Sequence, residues 1–206
     1  MKTPIFSFFA ALIFAGCSVF GIRTTEEPSY NVRLGRGKIE IREYGAVLLA
    51  TTRVSSDYEE STSVGFRRLA DYIFGKNTRE KSIKMTAPVV REEESEKISM
   101  TAPVLQETSA GKWTISFVLP ANYTLESLPA PLDERITIAE IPAKKVATIR
   151  FSGFLDEENY RKKAEELETW LTGKGYTMLS EPRFAAYDPP WTLPFLRRNE
   201  VLIDIQ

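Results

Sequence analysis

The sequence predicts an α+β domain. Two strand–helix–strand–strand halves are expected to form a curved, barrel-like sheet with two flanking helices. Three observations carry this: an internal duplication, two amphipathic helical stripes and a doubled pentapeptide of alternating polarity. The duplication emerges when residues 39–55 are laid over residues 136–152, an offset of 97. Eight of the 17 positions then match: Ile39/Ile136, Ile41/Ile138, Glu43/Glu140, Ala46/Ala143, Ala50/Ala147, Thr51/Thr148, Arg53/Arg150 and Ser55/Ser152. Each copy reads as a strand, a tight turn at Gly45 or Pro142, and a second strand. The halves, about 35–120 and 131–206, can bury their apolar faces against each other in one domain.

Each copy is followed by a helical pattern. Val64, Phe66, Leu69, Ala70 and Ile73 make an apolar stripe, with Ser61 or Thr62 as the expected cap and Gly75 as the stop. In the second half Tyr160, Ala164, Leu167, Trp170 and Leu171 recur at helical spacing. Asp156, Glu157 and Glu158 suit the positive start of that helix, and Lys174 with Gly175 suits its end. Further strands are expected at 81–90, 98–105 and 113–119, then at 182–188 and 199–205.

The pentapeptide Met85-Thr86-Ala87-Pro88-Val89 recurs as Met100-Thr101-Ala102-Pro103-Val104, with the acidic run REEESE between the copies. Ile83 and Met85 alternate with Lys84 and Thr86, and Ile98 and Met100 with Ser99 and Thr101, which indicates half-buried strands. A proline has no N–H for a central ladder, so Pro88 and Pro103 should mark strand ends, edges or bulges. Two readings stay open: adjacent strands joined by a charged turn, or strands whose Met85 and Met100 line a ligand pocket.

Residues 1–16 read as a lipoprotein signal peptide. Lys2 gives a positive start, Ile5 to Phe14 is too short an apolar run to span a bilayer, and Ala15-Gly16 precede Cys17. Cys17 is the single cysteine, so no internal disulfide is possible, and lipidation accounts for a lone thiol in an exported chain. Ser18 is compatible with sorting to the periplasmic face of an outer membrane. Residues 17–34 read as a lipid-attached tether of small and polar residues, leaving 35–206 as the folded domain.

The composition excludes several functions. There is no histidine, which removes the commonest general base, the commonest metal ligand and every Ser-His or Cys-His nucleophile. Without Lys2, 26 basic residues stand against 28 acidic ones, a net −2 with no electrostatic footprint for nucleic acid. No glycine-rich phosphate loop follows a strand. A non-catalytic protein is expected.

The doubled MTAPV, GFRRLADYIFGKN at 65–77, WTISFVLP at 113–120 and AYDPPWTLPFLRRNEV at 186–201 resemble the SOUL haem-binding family over roughly residues 30–206. The architecture also resembles the effector-binding domains of bacterial transcription activators. The resemblance implies haem or another porphyrin, or an amphipathic small molecule, as ligand. It places the pocket at the first helix (Phe66, Arg67, Leu69, Ala70 and Ile73) and the loop before the last strand (Tyr187, Trp191, Phe195 and Arg197). The helix stripe serves equally as core, and the sequence leaves the two readings open. Asp71 stands where the family tends to carry a basic residue. With histidine absent, Met85, Met100, Tyr72 and Tyr187 are what remain to approach iron, so axial ligation is expected to be weak or absent, with Arg or Lys meeting the propionates. The expected role is carriage or buffering of tetrapyrrole at the envelope. The alternative is an interaction or scaffolding lipoprotein whose barrel is filled by its own side chains. A hydrolase would need a buried carboxylate or tyrosine with a shifted pKa in the cavity.

Overall fold

The computed structural model describes residues 25–78, 95–109, 112–154 and 156–206. The segment 1–16 read as a signal peptide, Cys17, the first MTAPV copy with Met85 and the strand expected at 81–90 lie outside the described residues. The elements run β1 (Tyr30–Arg36), β2 (Ile39–Tyr44), β3 (Val47–Val54), α1 (Tyr58–Ile73), β4 (Asn77–Thr78), β5 (Val104–Ser109), β6 (Lys112–Val118) and β7 (Ala130–Pro131). They continue β8 (Ile136–Ile141), β9 (Lys144–Phe151), α2 (Glu157–Gly173), β10 (Arg183–Ala186), a 3-10 turn (Pro194–Leu196) and β11 (Asn199–Asp204). The class is α+β, as expected.

Two compact units carry these elements. The first-helix unit comprises residues 26–30 and 44–144. Its strands are ordered β5-β6-β3-β8, all antiparallel, with Ala50 opposite both Phe117 and Ile138. Helix α1 packs its buried face, Leu69, Tyr72 and Ile73, against Ala50, Ile115 and Phe117 of the sheet. The approach is close because Gly65 has no side chain: a Cβ there would sit 2.7 Å from Ile115 Cγ1 and Cδ1.

Among the described residues the second-helix unit comprises 25, 31–43, 145–154 and 156–206. Its strands run β1-β2-β9-β11-β10. In the antiparallel centre Val201 faces Ile149 on β9 and Phe184 on β10. Gly37, at φ 64°, makes the β1–β2 turn that side chains disfavour. Helix α2 is capped by Asp156, which accepts the Asn159 N–H at 2.8 Å, and buries Leu167 and Leu171 among Ile149, Phe184 and Ile203.

The duplication is real at the level of strands, but the compact units do not follow the boundaries 35–120 and 131–206. β2 and β3 do not pair with each other across Gly45, nor β8 and β9 across Pro142. Instead β3 pairs with β8, Val47 opposite Ile141, and β2 lies beside β9, where the Arg150 N–H donates to the Lys38 carbonyl at 2.9 Å. Repeated strands have equivalent edges, so each can take its mate from the other copy.

Three further expectations are corrected. The tether does not extend to residue 34: Tyr30–Arg36 is β1, and Glu26 already bridges to Thr101. The cap of α1 is Asp57, not Ser61 or Thr62, because the buried stripe begins a turn and a half earlier at Tyr58. The strand expected at 98–105 starts only at Val104. Its alternation fails because the Thr101 hydroxyl turns inward to donate to the Val118 carbonyl, leaving Met100 at 36% exposure.

Candidate functional site

Tyr187, Trp191, Phe195 and Arg197 share one loop of the second-helix unit, and its backbone is tied down at several points. The Arg198 N–H donates to buried Asp188 at 2.6 Å, and the Tyr187 N–H to the Arg198 carbonyl at 3.2 Å. Arg197 reaches back across the loop, its Nε donating to the Thr192 carbonyl at 2.7 Å and its Nη2 to that of Pro190. The Gly153 N–H donates to the Pro194 carbonyl at 2.9 Å, which joins the end of β9 to the same loop. Phe154 therefore lies beside it, 5.9 Å from the Arg197 guanidinium.

What this fixed backbone displays is apolar. Phe154, Trp191 and Phe195 are 65, 64 and 70% exposed. Large aromatics held out to solvent on a rigid loop mark a contact surface rather than unfinished packing. Tyr187 differs from its loop neighbours: its ring is buried beneath the Arg198 guanidinium at 3.8 Å, and its hydroxyl donates to Glu200 at 2.9 Å.

Glu200 is the centre of the charge network that roots the loop. Its side chain is fully buried at the start of β11. Arg42 of β2 meets it through Nη1 at 2.7 Å and Nη2 at 3.0 Å, and Arg198 Nε adds a contact at 2.9 Å. Burial pushes the carboxyl up, but Arg42, Arg198 and the Tyr187 hydroxyl together hold it below the usual glutamate range. The alternate side chains Val201 and Ile203 belong to the core.

The helix residues sort differently. Leu69 and Ile73 are fully buried in the first-helix core and Ala70 packs against it, so the stripe is core. Phe66 is 40% exposed, its ring edge-on to Phe117 at 5.2 Å, and Arg67 is exposed. Phe154 and Arg42 were not singled out from the sequence. An exposed-looking Gly-Phe pair closing β9 was the available hint for Phe154. Nothing local pairs Arg42 with a carboxylate 158 residues away.

A family model described as "SOUL heme-binding protein" matches residues 25–95 and 91–204. The chain belongs to the SOUL family. It is 31% identical over 167 residues to human "Heme-binding protein 2", covering 80% of this chain and 77% of that one. To Xenopus laevis "Heme-binding protein 1" it is 28% identical over 164 residues, covering 79% and 80%. Among solved structures this SOUL chain is similar in fold to the EcmrR C-terminal domain, with a TM-score of 0.55 at 14% identity, covering 86% of this chain and 98% of that one. It is also similar to a hydrolase from Listeria innocua, with a TM-score of 0.50 at 10% identity, covering 84% and 94%. At such identities those two likenesses speak for the fold alone.

Proposed function

We propose that this SOUL chain binds haem or a related tetrapyrrole without catalysing a reaction on it, and serves to carry or buffer that ligand at the envelope. The observation that carries this is the tied-down loop presenting Phe154, Trp191 and Phe195 to solvent beside Arg197. Flat aromatic surface suits a porphyrin face. Arg197 uses Nε and Nη2 on the loop itself, which leaves Nη1 for a propionate.

Iron ligation is not needed for this reading. The Tyr72 hydroxyl donates to the Pro129 carbonyl at 2.9 Å, and burial raises its pKa far above the usual phenol range, which opposes a phenolate ligand. The Tyr187 hydroxyl is engaged by Glu200. Affinity then comes from ring contact and one charge-assisted hydrogen bond, so the dissociation constant is micromolar, about −8 kcal/mol.

Titration of a soluble form beginning at Ser18, followed in the Soret region, tests both parts. Haemin and metal-free protoporphyrin IX should each saturate at one equivalent with affinities within about threefold, a difference below ~1 kcal/mol. Trp191→Ser with Phe195→Ser should weaken both at least about tenfold, since each removes a large aromatic contact. Linear, unsaturable uptake that ignores these changes would leave the loop to a protein partner, as an interaction lipoprotein would use it. Haemin binding far tighter than porphyrin would instead establish an iron ligand.

Attachment to the membrane is assigned to a lipid on Cys17, at the periplasmic face of an outer membrane. Among the described residues no helix is long and apolar enough to cross a bilayer. Cys17→Ser should release the chain from the membrane fraction. Retention of that variant would remove the anchor from the proposal.

A further inference from the structure

The strand order of the first-helix unit ends on β8, which pairs with β3, Ala50 opposite Ile138 and Thr51 opposite Thr137. Alternate residues of such a strand turn both N–H and C=O away from the neighbour. Among the described residues, no hydrogen bond from outside β3 reaches the backbone of residues 137–141. The strand reads Ile-Thr-Ile-Ala-Glu-Ile, rich in β-branched residues and without lysine, arginine or proline. Thr137, Ala139 and Glu140 are exposed. Edges that stay unpaired are guarded by cations, prolines or bulges. The edge strand of the second-helix unit, β1, follows that rule. It carries Arg33 and Arg36, and Arg33 is tied to Glu43 at 2.8 Å. β8 has a single charge, on Glu140.

We infer that β8 is an interface whose partner is β8 of a second copy of this chain, joined antiparallel about a twofold axis. Such an axis sets one residue opposite itself, so few registers exist, and like charges sort them. Centring on Glu140 puts two carboxylates face to face. Centring on Thr137 puts Glu134 of one copy opposite Glu140 of the other. Centring on Ala139 brings Ile136 opposite Pro142, which has no N–H to give. Centring on Ile138 meets none of these obstacles. Thr137 then lies opposite Ala139, Ile136 opposite Glu140 and Arg135 opposite Ile141. Ile138 meets its own copy beside the core it already packs against. The strand is thus compatible with itself in one register, which favours a second copy over an arbitrary extended peptide. Six residues from each partner make a small interface, so association is weak and depends on concentration. β8 belongs to the first-helix unit and the aromatic loop to the second, so this dimer does not rest on the tetrapyrrole reading.

Sedimentation of the full-length chain in a density-matched detergent, at rising protein concentration, provides the test. The native chain should pass from monomer to dimer and grow no further, since a twofold pairing closes on itself. Thr137→Lys with Ala139→Lys sets lysine opposite lysine twice in the dimer. It should raise the dissociation constant about four- to twenty-fivefold, at about two- to fivefold for each like-charged pair. Thr137→Lys with Ala139→Glu sets lysine opposite glutamate twice, and should return dimerisation to the native level or beyond it. Both side chains are exposed, so the fold should survive, as circular dichroism would verify. Trp191→Ser with Phe195→Ser should leave the dimer unchanged. A native chain that stays monomeric, growth beyond the dimer, indifference to the paired lysines, a charge swap that fails to rescue, or loss on changing the aromatic loop would each overturn the assignment.

Discussion

Glu200→Gln should lower unfolding stability by about 3–5 kcal/mol, the cost of removing one partner from a buried ion pair. The glutamine keeps the shape and fits the space. What it removes is the negative charge that both Arg42 and Arg198 require, at 2.7 and 2.9 Å. The two guanidiniums would then share an amide in place of the buried carboxylate, with Arg42 still meeting Glu40 at 2.7 Å. Tyr187→Phe takes away one hydrogen bond to the same carboxylate and should cost only about 1 kcal/mol. Urea unfolding of the three proteins gives the comparison, with midpoints shifting at constant slope. A Glu200→Gln loss below about 1 kcal/mol would mean that water reaches the arginines.

The same network gives a pH dependence with a defined sign. In the folded chain the Glu200 carboxyl titrates below the usual glutamate range, because Arg42, Arg198 and Tyr187 outweigh its burial. The folded state therefore holds this proton less readily than the unfolded chain does. Its contribution is fully present above the unfolded glutamate value, about 4.3, and is lost as pH falls through the lower folded value. The stability gap between the native chain and Glu200→Gln should be flat from neutral pH down to about 5. It should narrow in stronger acid. A gap that widened on acidification would contradict the ionised assignment.

How much of this was legible in the sequence depended on whether a signal was local. The duplication, both helices and the acidic start of α2 follow from spacing and charge within a few residues. The exchange of strands does not, because two similar copies offer each strand two equivalent mates. β3 taking β8 looks the same in the sequence as β3 taking β2. In the run Arg197-Arg198-Asn199-Glu200, which leads into the strand expected at 199–205, Arg198 contacts Glu200 at 2.9 Å. Its other partner was out of reach, since Arg42 joins only through the sheet. The aromatic loop was visible as three prolines around Trp191. The hydrogen bonds of Arg197 to the Thr192 and Pro190 carbonyls, which make it rigid, were not.

Gly65→Ala should destabilise the chain by about 1–3 kcal/mol, although alanine is the better helix former by about 1 kcal/mol. Propensity favours the substitution, and packing opposes it. A Cβ at residue 65 would lie 2.7 Å from Ile115 Cγ1 and Cδ1 and 2.9 Å from Ile115 Cβ. Rotating the far end of the isoleucine relieves only the Cδ1 contact; moving Cγ1 needs a change of χ1, and Cβ is fixed by the β6 backbone. Ile115 is itself 1% exposed, within the core that receives Leu69 and Ile73, so it has no solvent to move into. The helix must therefore lift from the sheet, carrying Phe66 away from Phe117 and disturbing the surface that displays Arg67. A double-mutant cycle isolates the cause. Ile115→Ala alone should cost about 2–5 kcal/mol as a cavity, but clearly less in the Gly65→Ala background, where the new methyl fills part of the space. Strict additivity, or a stabilising Gly65→Ala, would show that the helix already stands clear of the strand.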